Sequence, residues 1–486
     1  MLVFVILFPI LTGLLIPHFA PGGRLPRFCL LIAAQIAEVC TVAAAVASGR
    51  TYTSDIWRLT ESLTIALKLD GVAAVFILLT VISWLLTLLY SYEYMKHEHG
   101  HEANFYTFLF ISEGMLLGTA LSADFVSMYV FYELTSLCSM PLVLYERTRK
   151  AITGAVKYLY YSIGGAFFVL FGLAVLYDNT FTLDFLPGGT LIPGHHTQLV
   201  LAAIFCIILG FGTKAGMFPM HNWLPTAHPV APAPASALLS GIITKAGVIG
   251  ILRVIYFIAG ADRLRGTWVQ TVCLTLALFT VFMGSMMAFT EKNFKKRLAY
   301  SSISQISYVL TGLFVLSQEG LMGSLLQIAF HAAAKIALFY IAGILICLAG
   351  LRSVERFRGA ARRLPVTFGC FIFAALSLVG IPPFGGFVSK WYIASAALDG
   401  LPGAFAYAAP AVLLLSALLT AGYLFPPIIR GFFPGDDLPP APGGERLREP
   451  WQLTLPLILL AAACGLLGLF PDWITSVMQR IAGAVL

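Results

Sequence analysis

Apolar residues run along this chain in blocks of roughly twenty, separated by short polar connections, from one end to the other. A bilayer core about 30 Å thick needs about 20 apolar residues per helix. By that rule spans are drawn at 1-17, 28-48, 70-91, 105-121, 124-145, 157-177, 198-226, 232-258, 267-289, 301-317, 320-349, 365-398, 407-430 and 452-475. The pattern predicts an all-α polytopic membrane protein of about 14 transmembrane helices, built as one transmembrane domain over 1-486. Met1 to Pro17 has no basic residue ahead of its apolar run, and Arg24 and Arg27 follow it; a cleaved signal has the opposite charge order, so this stretch reads as the first span. The longest polar stretches, 49-69, 178-197 and 431-450, are too short to fold separately, and GFFPGDDLPPAPGGERLREP reads as a Pro/Gly-rich surface connector. After the fourteenth span no long extension is expected.

Composition agrees with lipid as the solvent. Hydrophobic residues make up 59% of the 486 and charged residues 11%, against roughly 25% charged in soluble domains. Lys and Arg are retained on the cytoplasmic side. Connections after odd-numbered spans carry 18 of them and those after even-numbered spans five, which places both termini on the extracytoplasmic side of a cell membrane. The net charge of +7 follows from this bias and does not call for nucleic acid. Eight cysteines are scattered without a C-x-x-C pair and read as packing residues, so no iron-sulfur or zinc site and no cofactor is expected in this chain. His97, His99 and His101 alternate in KHEHGHE, a short connection that reads as solvated loop. Gly210, Gly212 and Gly216 lack the strand-to-helix setting of a nucleotide loop and read as helix packing.

Two spans look defective. The seventh, GFGTKAGMFPMHNWLPTAHPVAP, carries Pro219 and Pro225; the twelfth, SLVGIPPFGGFVSKWYIASA, carries Pro382, Pro383, Gly385 and Gly386. Proline removes a donor and clashes with the preceding turn, so both helices should break. Irregular backbone at membrane depth is tolerated only when buried in protein or lining a watery cavity. The breaks lie five helices apart, and an odd offset reverses direction. Spans 4-8 (residues 105-258) and 9-13 (267-430) therefore read as two inverted repeat units, each with a broken helix, a sequence pointer to a transport site.

Ionisable residues inside spans carry the chemistry. Glu133, Lys214, Lys245, Lys335 and Lys390 are too deep to reach water by snorkelling, and each costs about 2.5 to 3.5 kcal/mol at a helix centre. Desolvation disfavours a lysine's ammonium form and a nearby carboxylate restores it, so a moving partner charge switches such a site between loaded and empty. This is the logic of a proton relay. We expect Glu133 to pair with Lys214, and Lys245 to link that half to Lys335 and Lys390. His221, His228 and His331 lie within or beside the broken seventh span and in the eleventh, where imidazole could accept and donate protons. The alternative is that the charges are helix-helix glue and the histidines bond backbone. Ser302, Ser304, Ser307 and Tyr308 could hold water or simply pack; Arg253 sits near a span end and Glu113 has no obvious partner.

The run Phe218-Pro219-Met220-His221-Asn222-Trp223-Leu224-Pro225-Thr226-Ala227-His228-Pro229, continuing into APAPASALLSGIITKAGVIGILR, resembles the antiporter-like subunits of respiratory complex I, group 4 membrane-bound hydrogenases and multisubunit Mrp cation/proton antiporters. The resemblance covers roughly spans three to thirteen. It implies a fourteen-helix fold with inverted five-helix repeats. It also implies that Glu133 is the fifth-helix glutamate, Lys214 the seventh-helix lysine, Lys245 the central eighth-helix lysine and Lys390 the terminal twelfth-helix residue, with His331 and Lys335 on the connecting axis. Lys390 departs from the branch with glutamate there, and the lack of a long extension argues against the distal subunit with a lateral helix. AHPVAPAPASALLSG is most similar to hydrogenase-type and Mrp D-type members.

The expectation is a proton-translocating subunit of a redox-driven membrane complex, with other membrane subunits as partners. The first alternative is a Mrp D-type subunit exchanging Na⁺ for H⁺ with no redox partner. The second is a non-pumping scaffold, which the full set of buried charges disfavours.

Overall fold

The computed structural model describes residues 1–19, 23–58, 60, 64–98, 101–194, 197–433 and 446–486. Most of the 431-450 connector, and His99 of the alternating histidines, lie outside the described residues. Numbering the long helices in chain order gives α1 (Leu2–Phe19), α2 (Arg24–Ala47), α3 (Gly71–Tyr94), α4 (Glu102–Leu121), α5 (Phe125–Leu144), α6 (Arg149–Tyr177), α7 (Thr197–Ala215) and α8 (Ala233–Ala259). They continue as α9 (Trp268–Thr290), α10 (Phe294–Phe314), α11 (Gln318–Ala349), α12 (Pro365–Val379), α13 (Gly385–Gly400), α14 (Ala404–Phe432), α15 (Trp451–Leu469) and α16 (Asp472–Val485).

Helix stands in each of the fourteen windows drawn from hydropathy. Among the described residues ten helices are long and apolar enough to cross a membrane: α2, α3, α5 to α9, α11, α14 and α15. α10 fails that criterion because Lys295, Lys296 and Arg297 open it and Ser301, Ser302, Ser304, Gln305 and Ser307 follow, yet nearly all of it is buried. Its polar residues face protein, not lipid. Side-chain caps start several helices: Asp70 accepts from Ala73 N–H at 2.9 Å, Asp124 from Ser127 N–H at 2.8 Å and Ser317 from Gly320 N–H at 3.1 Å.

Both predicted breaks occur, and they are built alike. α7 ends at Ala215, followed by Gly216 at φ +78°, whose N–H bonds the Thr213 carbonyl while Met217 N–H bonds that of Gly212. α12 ends at Val379, followed by Gly380 at φ +86°, whose N–H bonds the Ser377 carbonyl while Ile381 N–H bonds that of Leu376. Each is a Schellman cap, and a left-handed glycine is what that cap needs. Prolines follow within three residues in both cases.

α8 is continuous but not uniformly wound. Residues Leu239–Ile243 and Val254–Ala259 are π-helical and Lys245–Arg253 between them is α-helical, all of it buried. With α10 and α11 it forms the centre of the molecule. α2, α6 and α14 lie outside, where Tyr160, Phe167, Leu414 and Leu418 are exposed, as suits lipid-facing helices. α6 and α7 approach closely through Gly165 and Gly210, each facing the other's carbonyl, so these glycines are packing residues.

Two elements depart from the hydropathy reading. The 49-69 stretch holds an antiparallel β-hairpin, β1 (Tyr52–Arg58) and β2 (Thr64–Leu69), with Tyr52 opposite Leu69 and a bulge between Asp55 and Trp57. The last window ends at Leu469 rather than 475. α16 is a separate amphipathic helix whose buried face is Ile474, Met478, Ala482 and Val485, with Trp473 exposed.

Candidate functional site

The four lysines predicted from the sequence lie along the buried centre, and each ammonium is docked on backbone carbonyls. Lys214, in the last turn of α7, donates to Ser136 Oγ at 2.7 Å and the Tyr132 carbonyl at 3.3 Å on α5, with its Nζ 4.4 Å from the Tyr132 ring centroid. Lys245 on α8 donates to the Ser240 carbonyl at 2.6 Å, which also accepts from Thr244 Oγ1. Lys335 on α11 donates to the Leu298 carbonyl of α10 at 2.9 Å. Lys390 on α13 reaches back across the break to the Leu378 and Val379 carbonyls at 2.6 and 3.0 Å, the last of α12. A cation there meets the negative end of the half-helix dipole.

Glu133 is half-buried on α5, and one of its carboxyl oxygens has no hydrogen-bond partner among the described residues. It is close enough to Lys214 for their charges to interact, but the expected direct pair does not form: the ammonium turns to Ser136, one turn away on the same helix. The reason is local. Tyr132 and Ser136 together offer a carbonyl, a hydroxyl and an aromatic face on the side of α5 that meets α7.

The histidines separate into two groups. His331 is buried on α11 near Lys245, Lys335 and Lys390, and neither ring nitrogen has a partner among the described residues. His228 is fully buried near Lys335, Lys295 and Lys245, between the rings of Trp223 and Phe339. His221 stands apart, half-buried against Phe218 and close to Lys157 on α6, which donates to Thr226 Oγ1 at 3.2 Å. It does not join the central group.

Several participants escaped the sequence reading. Lys295 opens α10, is buried, and donates to the Ala231 carbonyl at 2.8 Å; Glu98 and Glu146 lie within electrostatic reach of it, and Glu146 also lines an open cavity of about 450 Å³. A run of polar contacts leads from Lys245 toward Lys390. Ser240 Oγ meets Ser302 Oγ at 2.6 Å, Gln305 stands one turn further on α10, Gln327 Nε2 donates to Gln305 Oε1 at 3.1 Å, and Ser389 Oγ donates to Gln327 Oε1 at 2.6 Å. Ser304 instead joins Ser285 and Ser416, and Tyr308 donates to the Leu413 carbonyl while its ring faces Lys390. Between Lys214 and Lys245 the link is steric: the Lys214 stem lies against Gly247 of α8. A glutamine inside a hydrophobic window was the available signal for Gln305 and Gln327.

Two charges noted earlier also find partners. Arg253 makes a bidentate pair with Asp70 at 2.6 and 2.9 Å, and Glu113 accepts from Gln35 at 2.6 Å. Among the described residues no group of three or more His, Cys, Asp and Glu could hold a metal ion.

The model for the NADH:quinone oxidoreductase/Mrp antiporter transmembrane family matches residues 122–416, which include both broken helices and all four docked lysines. The chain belongs to this family. Among curated relatives of this antiporter-family chain, NADH-quinone oxidoreductase subunit N of Desulforudis audaxviator is 34% identical over 423 residues, 85% of this chain and 83% of the relative. Hydrogenase-4 component B of Escherichia coli is 28% identical over 87% of this chain and 65% of the relative. The D-type subunit of the Bacillus subtilis Na(+)/H(+) antiporter is 29% identical over 87% of this chain and 84% of the relative. The fold matches a chain of the archaeal membrane-bound sulfane sulfur reductase with a TM-score of 0.87 at 24% identity, covering 100% of this chain and 97% of that one. It matches a chain of the Mrp complex from Dietzia sp. with a TM-score of 0.84 at 22% identity, with the same coverage. The protein is accordingly a multi-pass membrane protein of the antiporter-like type, and these structural neighbours are parts of multisubunit complexes.

Proposed function

We propose that this chain is a proton-translocating, antiporter-like subunit of a redox-driven membrane complex of the NADH-quinone oxidoreductase or group 4 hydrogenase kind. The observation that carries this reading is the row of three buried lysines and the half-buried Lys390, each held by backbone carbonyls where a helix is broken, π-wound or crossed. A carbonyl accepts from –NH₃⁺ and from –NH₂ alike, so each site is hydrogen-bonded in both protonation states. A charge is stabilised there by fixed dipoles and can leave without stranding a buried counter-ion. The lysine row and Gln305, Gln327 and Ser389 would then serve as successive stations, with His331 and His228 between them and Glu133 acting on Lys214 from one side.

In this reading the chain crosses the membrane fourteen times, counting α12 and α13 as one broken span. Residues 105-258 and 267-430 are inverted repeat units, a view that the two matching Schellman caps support. Both termini lie on the extracytoplasmic side, and the driving chemistry belongs to partner subunits. The test is proton uptake by sealed vesicles bearing the assembled complex with Lys214→Ala: transport should cease while assembly persists, and undiminished transport would refute the role.

A second reading is a D-type subunit exchanging Na⁺ for H⁺ with no redox partner, favoured by the likeness to the Bacillus subtilis antiporter protein over 87% of this chain. Vesicles that build a pH gradient on Na⁺ addition alone would select it. Co-purifying redox subunits would select the first.

A further inference from the structure

A second set of buried ionisable groups lies outside the region that the family model matches. The inward face of α2 is Phe28, Leu31, Gln35, Glu38, Val42 and Ala45, so two polar side chains occupy successive turns of an otherwise apolar seam. Gln35 and Glu38 are each 1% exposed, and Glu113 on the neighbouring α4 is fully buried. Gln35 Nε2 donates to Glu113 Oε1 at 2.6 Å and, at 3.4 Å, to the Val81 carbonyl of α3. The remaining oxygens are acceptors without donors: Gln35 Oε1, both carboxyl oxygens of Glu38 and Oε2 of Glu113.

Among the described residues no Lys, Arg or His lies within ion-pair distance of either carboxyl group. The other titratable groups of the packed helices are engaged elsewhere or stand apart. His18 of α1 bonds Thr107, Tyr90 and Tyr94 of α3 bond Tyr340 and Glu98, Glu93 pairs with Lys96, and Glu102 pairs with Arg24. Tyr106 of α4 meets Ser91. The two carboxyl groups instead lie within electrostatic reach of each other.

We propose that Glu38 and Glu113, organised by Gln35, form a second proton-binding site that holds at least one proton and stands apart from the lysine row. Two ionised carboxylates can only accept hydrogen bonds, and Gln35 Nε2 serves a single oxygen of the set, Glu113 Oε1, leaving three carboxyl oxygens and the amide oxygen without a donor. One proton resolves the conflict. It turns an oxygen without a partner into an O–H that donates to Gln35 Oε1 or to the other carboxylate, as when two close carboxyls share a proton because both cannot ionise together. A cleft between α1, α2 and α4 opens at the Arg24 end of α2, on the same side of that helix, and stops short of the pair. It holds about 190 Å³ and is lined by Phe28, Leu31, Tyr106, Arg24 and Glu102. Leu31 stands one turn from Gln35 on the same face, and the Arg24 to Glu102 ion pair, at 2.8 Å, lies at its outer end.

The experiment is infrared spectroscopy of the purified complex in lipid nanodiscs. At neutral pH the intact chain should show a protonated-carboxyl C=O band that shifts in D₂O. Glu113→Gln and Glu38→Gln should each remove or displace it, whereas Lys214→Ala and saturating Na⁺ should leave it in place. Absence of such a band from the intact complex overturns the proposal without any variant. So does a band that survives both glutamine substitutions. A band abolished by Na⁺ would assign the site to a metal cation instead of a proton, which also overturns it.

Discussion

The two broken helices share a cap but treat their lysines differently. At the first break Lys214 belongs to the half-helix that ends, and it leans across to α5, where a hydroxyl, a carbonyl, an aromatic face and a nearby carboxyl group surround it. At the second, Lys390 belongs to the half-helix that begins, and it folds back onto the carbonyl end of the other half, with no carboxylate in ion-pair contact among the described residues. The same backbone device thus yields one cation whose charge answers to a neighbour and one fixed by a helix end. Under the proposed function the first would serve switching and the second would end the path.

Substitutions can break or sharpen this contrast. The largest effect is expected for Lys214→Ala, which should abolish coupled ion uptake in vesicles at normal complex content. Arg253→Ala is the counter-case, because its bidentate bond to Asp70 is a structural charge pair. Loss of one buried partner should cost about 3 kcal/mol, read as a lower melting temperature of the purified complex, while transport per assembled complex is kept. Lys390→Ala leaves two helix-end carbonyls without their cation. It should cost about 1 to 2 kcal/mol of stability and slow transport less than the change at Lys214; equal loss at both would erase the distinction drawn here.

Glu133→Gln keeps shape and removes charge. Uptake should fall by roughly tenfold, about 1.4 kcal/mol on a rate, and an unchanged rate would mean that Lys214 does not answer to Glu133. The smallest effect concerns Glu291, in the connection before α10. Burial pushes its carboxyl up, but hydrogen bonds from Lys296 and the Asn293 N–H outweigh that and hold it below the ordinary range. A depressed pKa stabilises the fold above the unfolded value and loses that contribution as pH falls through the folded one. The term should be about 0.5 kcal/mol, seen as a small acid-side drop in melting temperature that added salt diminishes.

Hydropathy located a helix in every window because lipid-embedded apolar runs and helices have the same length scale, and prolines marked both breaks because they remove donors. Glu133, Lys214, Lys245, Lys335 and Lys390 stood out for the same reason: a charge in an apolar run is conspicuous. What could not be read was partnership. Lys214 was expected to touch Glu133, yet Ser136 on the same helix took its place, and nothing local in the sequence ranks a hydroxyl over a carboxylate one turn away. Glu113 looked solitary because its partner sits 78 residues earlier. Lys295 was counted as a cytoplasmic loop charge, although α10 starts earlier than its apolar pattern and draws that lysine inside. The hairpin of β1 and β2 was missed although Ile65, Leu67 and Leu69 alternate along β2, because YTSDIWR in β1 shows no matching apolar alternation and the whole stretch reads as a polar connection.

The two wide turns of α8 bear on where Lys245 can point. Each takes more than the usual 3.6 residues per turn, so the rotational setting of the lysine depends on surplus residues on both sides of it. Deleting a single residue between Leu239 and Ile243 would rewind the first turn and swing everything beyond it by about 100° relative to what precedes it. The ammonium would then lose the Ser240 carbonyl and turn away from His331 and Lys335 of α11. Chain length in this segment, as much as the identity of the residue at 245, decides whether the centre of the molecule is joined or severed.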